Sequence, residues 1–302
     1  MGQLAELGAE VAGIASRVAG SVVAIGRDQG RGAGVVIAEG RVATNAHNLR
    51  GEQVTVSFGD GRRETGQVVG VDVDADLAVI AVDTRGVVAV EWGDGELALG
   101  TPVFAVTNPP GGGPRVTFGL VSATGQAFRG PQSRRITDAV EHTAPLARGS
   151  SGSPLVDAEG RLVGINTHRR GDGFYLAVPA TAELRERLGA LSRGEAPRRV
   201  RLGVAVAPAH VARHLRGAVG LPPRDGLLVR GVEEGTPAAR AGVRPGDLIV
   251  AAGGRPVTGG DELHELLDGL EPGASLALRL VRGADELDVA VTFTGAAEEG
   301  SA

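Results

Sequence analysis

The stretch "LARGSSGSPLV", Leu146 to Val156, is small, flexible and rich in hydroxyls, and it lies between apolar runs. Such a stretch is either a plain glycine-serine loop or the seat of a nucleophile. Acyl transfer by a serine needs a base to take the hydroxyl proton and an acid to orient that base. It also needs backbone N–H groups to meet the developing oxyanion. Gly149 and Gly152 bracket Ser150 and Ser151. A glycine ahead of a nucleophile lets the chain turn so that successive N–H groups point into one concavity. Ser151 is the candidate nucleophile, with Ser150 contributing mostly backbone.

The chain has six histidines. His47 ends the apolar hairpin "GVVIAEGRVATNAH", where a strand gives way to a loop of small residues, and it is the candidate base. His142 and His168 flank the serine loop. His210 and His214 are four apart and could form a metal pair, but with no third ligand nearby they read as a solvated helix face. The acid candidates are Asp72, Asp74 and Asp76 in "VDVDADLAVIAV". A continuous strand would put all three on one face. Asp76 directly abuts the apolar run, so it is the one expected to be buried and to orient an imidazole.

An α/β-hydrolase elbow requires G-x-S-x-G, and Ser153 breaks that pattern. The order His47, Asp76, Ser151 on a β-rich chain instead fits a chymotrypsin-type double barrel, one barrel giving His and Asp, the other Ser. The surrounding pattern agrees. From Ser21 to about Ala180 short strands follow one another with turn signals and no helix between them. The cluster "NPPGGGP" divides this region into halves of similar strand count.

The expected organisation is an N-terminal amphipathic helix over 1–20, with Leu4, Leu7, Val11, Ile14 and Val18 on one face, then a two-barrel domain over 21–188. The helix "TAELRERLGAL" closes that domain, with Thr181 as its N-cap. A linker over 189–199 leads to a small α+β unit over 200–294 with two short helices, "PAARAG" and "GDELHELLDGL", and a tail over 295–302.

Among 302 residues, 42% are hydrophobic, enough for a substantial core, and the net charge of −5 points to neither nucleic acid nor anionic membrane as partner. The absence of cysteine excludes disulfides, cysteine nucleophiles and thiolate metal sites. No segment reaches the roughly 18 to 20 apolar residues of a membrane span. The N-terminus lacks a basic export n-region, so the chain as given is expected in the cytoplasm, or in the cell envelope had it been trimmed of an anchor.

"TNAH", "DADLAVIAV", "GLVSA", "RGSSGSPLVDAEGRLVGINT" and "LAVPA", in that order, resemble the HtrA/DegP-type trypsin-like serine proteases. "RLGV", "GTPAARAGVRPGDLIVAAGGRPV" and "LVRG" resemble the PDZ domain that follows the protease in that family. Together they cover about residues 4 to 294. The resemblance implies a mainly β fold, a chymotrypsin-like double β-barrel followed by a small α+β PDZ-like domain. It makes His47 the general base, Asp76 its orienting acid and Ser151 the nucleophile. The N–H groups of Gly149 and Ser151, with that of Ser150 between them, become the oxyanion hole.

It implies an ATP-independent endopeptidase of protein quality control and stress response, needing no cofactor or metal and acting on unfolded or C-terminally exposed polypeptides. Leu202, Gly203 and Val204 would grip a peptide carboxylate while the peptide adds as a strand. Ser150 stands where the family has Asn or Asp, Ser153 where it has Gly, and Thr143 where it often has Asp. Ser153 could crowd the pocket wall, which would leave a weakly active or inactive peptide-binding scaffold of the same fold as the alternative. The family forms trimers through N-terminal aromatics, and residues 1 to 20 contain none. The hairpin around Gly26 to Gly34 is too short for the long regulatory loop of some members of the family.

Overall fold

A computed structural model of the chain describes residues 2–26, 32–93, 97–109, 113–130, 135–195 and 200–293. The chain divides into two units, Met1–Pro197 and Arg198–Ala302.

The first unit opens with α1 (Gln3–Val18). Strands β1 (Val22–Ile25), β2 (Gly32–Ala38), β3 (Arg41–Thr44), β4 (Gln53–Ser57), β5 (Arg63–Asp72) and β6 (Leu77–Ala81) close into a barrel in the order β1-β2-β3-β6-β5-β4. Strands β7 (Pro102–Thr107), β8 (Arg115–Arg129), β9 (Arg135–His142), β10 (Pro154–Val156), β11 (Leu162–Arg169) and β12 (Tyr175–Pro179) close a second barrel in the order β10-β11-β12-β9-β8-β7. Helix α2 (Ala182–Ser192) follows, with the Thr181 hydroxyl accepting from Leu184 N–H as its N-cap.

Many strands are buried on both faces, and the period of two explains why. Val23, Val36, Val42 and Ile80 fill the first barrel, while their neighbours Val22, Val35, Ala43 and Val79 face outward. Ala105, Leu155 and Val163 fill the second barrel, and Phe104, Val156 and Leu162 face outward. The outward sets form one cluster with Ile14 and Val18 of α1 and Leu184, Leu188 and Leu191 of α2. Both barrels and both helices therefore share a core, and loops at the seam are held from two sides.

Several expectations change here. The cluster "NPPGGGP" falls between the paired strands β7 and β8 of one barrel, not at the boundary between barrels, because Pro and Gly mark connections of either kind. Its residues 110–112 lie outside the described ones. The boundary falls between β6 and β7, where no long strand forms. Strand β8 runs on to Arg129 through three register shifts against β9, across the glycine and polar residues that end the sequence pattern at Ala123. Helix α2 continues to Ser192, so positions 189–192 are helix and not linker. On α1, Val11, Ile14 and Val18 pack inward but Leu7 is 44% exposed, and the side chain of Leu4 lies outside the description. Residues 27–31 and those from 294 onward also lie outside it.

The second unit contains β13 (Val204–Ala207), α3 (Ala209–Ala218), β14 (Leu227–Val232), α4 (Pro237–Arg240), β15 (Leu248–Ala252), β16 (Arg255–Pro256), α5 (Gly260–Asp268), β17 (Ser275–Arg282) and β18 (Asp285–Thr292). Its sheet runs β13-β14-β15-β17-β18, with β16 beside β15. Helix α3 stands beside the two short helices α4 and α5, and it carries His210 and His214 on the exposed helix face that their spacing of four implied.

Candidate active site

His47 sits in a single 3-10 turn, Ala46–Asn48, immediately after β3. Its Nδ1 lies 2.7 Å from Asp76 Oδ2 and 2.9 Å from Oδ1, and its backbone N–H donates to Oδ1 at 3.1 Å. A carboxylate only accepts, so in the neutral ring Nδ1 carries the hydrogen and Nε2 keeps its lone pair. That is the tautomer a general base needs.

Asp76 is 1% exposed and holds φ at +54°. Strand β5 stops at Asp72, and residues 73–76 form a turn, so the three aspartates do not alternate along one strand face. The left-handed conformation at Asp76 turns the chain back into β6 and costs about 1 kcal/mol or more for a non-glycine residue. Hydrogen bonds from the segment just after β3 hold it there. Its carbonyl accepts from Asn45 Nδ2 at 3.0 Å and Ala46 N–H at 3.2 Å. Asp72 caps the same turn by accepting from Ala75 N–H at 3.1 Å.

Thr167, near the end of β11, joins the two halves of the site. Its hydroxyl donates to Asp76 Oδ2 at 2.8 Å, and its backbone carbonyl accepts from Ser151 Oγ at 2.9 Å. A hydroxyl has one proton, so in this state Ser151 Oγ donates to the Thr167 carbonyl and not to His47.

The serine loop is fixed from both barrels. Ser151 O accepts from Ala33 N–H at 2.7 Å and from Asn48 Nδ2 at 2.8 Å. Gly149 adopts φ +82° and Gly152 φ +90°. At Gly152 a Cβ would collide with the Ala33 carbonyl and Thr44 Oγ1, so glycine is required twice over, by its dihedral and by contact. The N–H groups of Gly149, Ser150 and Ser151 donate to no acceptor among the described residues. Free N–H groups beside a serine are what an oxyanion site requires.

Ser150 is buried and its carbonyl accepts from Ser153 N–H. Ser153 is fully buried, and its hydroxyl receives Asn166 Nδ2 at 3.0 Å. Its hydroxyl is thus spent inside the barrel. Thr143 Oγ1 accepts from Leu120 N–H at 3.0 Å. His168 is exposed and stacks on Phe128 at 5.8 Å, while His142 is fully buried.

The sequence reading assigned no role to Thr167, Asn48, Asn166 or His142. A signal for two of them was present: "LVGINT" places Asn and Thr at the end of an apolar strand, and buried polar side chains need partners.

In the second unit, Leu202 is buried, Val204 is half-buried and Gly203 adopts φ +81°. A Cβ at Gly203 would collide with Thr236, whose hydroxyl caps α4. The N–H groups of Leu202 and Gly203 meet no acceptor among the described residues, and β13 is an edge strand paired only with β14.

The trypsin-like peptidase domain family matches residues 32–165, and the PDZ domain family matches residues 228–282. A Synechocystis protein named as a serine protease, HhoA, is 34% identical over 282 residues, covering 88% of this chain and 71% of its own length. HhoB of the same organism is 33% identical over 270 residues, covering 85% of this chain and 64% of its own length. A protein of Hahella chejuensis, named as a periplasmic DegP-like serine endoprotease, is 32% identical over 271 residues; this chain spans 56% of it. The solved HtrA-type protease AlgW with a decapeptide superposes with TM-score 0.68 at 27% identity, over 94% of this chain and 98% of that one. A serine endoprotease from Yersinia pestis gives 0.66 at 28% identity, over 93% and 96%. The two-barrel fold, the matched peptidase and PDZ domains and these relatives agree, and the chain belongs to the HtrA/DegP-type trypsin-like serine proteases.

Proposed function

We propose that the chain is an ATP-independent serine endopeptidase that cleaves unfolded polypeptides through an acyl-enzyme on Ser151. The observation that carries this reading is the continuous chain of contacts from His47 through Asp76 and Thr167 to Ser151. In the reaction, Ser151 Oγ turns from the Thr167 carbonyl and gives its proton to His47 Nε2 while it attacks the scissile carbonyl carbon. The carbonyl oxygen becomes an oxyanion, received by the N–H groups of Gly149 and Ser151, with that of Ser150 adjacent. Asp76 stabilises the imidazolium through Nδ1–H. His47 then protonates the leaving amine, the C–N bond breaks, and an ester to Ser151 remains. Water, deprotonated by His47, hydrolyses that ester and restores the serine.

The second unit binds peptide C-termini. The free N–H groups at Leu202 and Gly203, with Val204 at the start of edge strand β13, meet the carboxylate, and the peptide extends the sheet beside β13.

One observation favours a second reading. The bond from Ser151 to Thr167 withholds the hydroxyl from His47, as suits a form that binds peptides without turning them over. Incubation with unfolded casein separates the two. Wild type cleaves and Ser151→Ala does not under the first reading; neither cleaves under the second.

A further inference from the structure

Beneath the nucleophile loop lies a buried polar chain that the triad does not use. His142, the last residue of β9, is 0% exposed, and its Nε2 lies 2.9 Å from Asn166 Oδ1. The Asn166 amide orientation is set by its other end: Nδ2 donates to Ser153 O at 3.1 Å and to Ser153 Oγ at 3.0 Å. Oδ1 is therefore the acceptor, and His142 must carry its hydrogen on Nε2. Nδ1 is then an unprotonated nitrogen, buried without a partner among the described residues. The ring stacks on Tyr175 of β12 at 5.8 Å. Burial lowers its pKa to about 4, partly offset by the bond to Asn166, so the ring is neutral at pH 7.

Asn166 grips the residues just after the nucleophile with its backbone as well. Its carbonyl accepts from Gly152 N–H at 2.7 Å, and its N–H donates to Ser153 O at 2.9 Å. An apolar side chain at 142 would fill the barrel without leaving a ring nitrogen unsatisfied. What the histidine adds is the single donor that completes Asn166.

We propose that His142 is a positioning residue for Ser151: its Nε2–H fixes the Asn166 side chain, which fixes Gly152 and Ser153 and hence the aim of the nucleophile. This inference deepens the endopeptidase reading and rests on it for its kinetic consequence. A displacement of about 1 Å at a reacting atom can lower turnover on the order of 100-fold.

The decisive comparison is His142→Gln against His142→Asn. The longer amide can offer an N–H near the position of Nε2; the shorter one reaches only to the region of Nδ1. His142→Gln should keep kcat within about threefold of wild type, while His142→Asn lowers it about 10- to 100-fold with little change in KM. Both are neutral amides, so a loss of fold common to both would appear in circular dichroism and thermal melting. Imidazole nitrogen NMR of the full chain gives a readout independent of turnover. One histidine should be protonated at Nε2 only and should stay neutral down to about pH 5. The amide signals of Gly152 and Ser153 should move in His142→Asn and return in His142→Gln. Equal kcat in the two variants, or His142 protonated at Nδ1, overturns the proposal. Absence of cleavage by wild type instead refutes the endopeptidase reading, and the NMR signals then decide the positioning role alone.

Discussion

Thr167→Val isolates the link between the acid and the rest of the site. The substitution keeps the shape of a side chain that is 4% exposed and removes the hydroxyl that donates to Asp76 Oδ2 at 2.8 Å. The backbone carbonyl that receives Ser151 is untouched, so any effect runs through Asp76. A hydrogen bond to a charged group contributes about 1.5–3 kcal/mol. At 1.36 kcal/mol per decade, full expression in the transition state lowers kcat/KM about 10- to 150-fold. Asp76 retains both contacts to His47, which makes the upper figure a ceiling. The assay is kcat/KM on a fluorogenic peptide, with Thr167→Ser as the control that restores the hydroxyl and should remain within about threefold of wild type. A Thr167→Val enzyme as active as wild type, at unchanged melting temperature, would refute the reasoning that Thr167 orients the acid.

Three further outcomes follow from the structure. His142 has a folded pKa of about 4 against about 6.5 unfolded, so between those values the unfolded chain binds the extra proton. Its contribution is intact above about pH 6.5 and is lost as pH falls through about 4, a total of about 3 kcal/mol. Urea denaturation at pH 7 and pH 4 should show this loss, and His142→Gln should lack it; equal acid sensitivity in both would contradict the assignment. Gly152→Ala should lower the melting temperature and abolish cleavage, because left-handed strain of about 1–3 kcal/mol adds to the collision with Ala33 and Thr44. A folded, active Gly152→Ala enzyme would show that the loop can move aside. Apolar C-terminal peptides titrated against the full chain should bind at least about tenfold more weakly once amidated, since the loop at Leu202 and Gly203 offers donors for a carboxylate; equal affinity would remove carboxylate recognition from the account.

Much of the fold could be read from short-range pattern, because strand alternation and turn residues are local signals. Val22 and Val23 face opposite clusters as the period of two requires. What failed was non-local or depended on unusual backbone. Nothing in "VDVDADLAVIAV" distinguishes a strand from a strand ended by a turn, and the left-handed Asp76 is held by Asn45 and Ala46 from the far side of the sequence. The β7–β8 connection looked like a domain boundary because proline and glycine carry no information about what their flanking strands pair with. In the site, the residues read from spacing lie within one connected network of contacts, but their supports did not show. Thr167, Asn48, Asn166 and His142 act through partners 13 to 103 positions away in sequence. A lone sequence offers no means to pair them. Ser153, which looked like an obstruction, is occupied by one of those hidden partners.

The central claim is that Ser151, activated by His47, forms an acyl-enzyme. Reaction of the wild-type chain with a fluorophosphonate, followed by peptide mass mapping, tests it most directly. One adduct is expected, on Ser151, with labelling lost in Ser151→Ala and strongly slowed in His47→Ala, alongside casein cleavage by wild type alone. An unlabelled wild-type chain that leaves casein intact, or an adduct on Ser150 or Ser153 with Ser151 free, would contradict it.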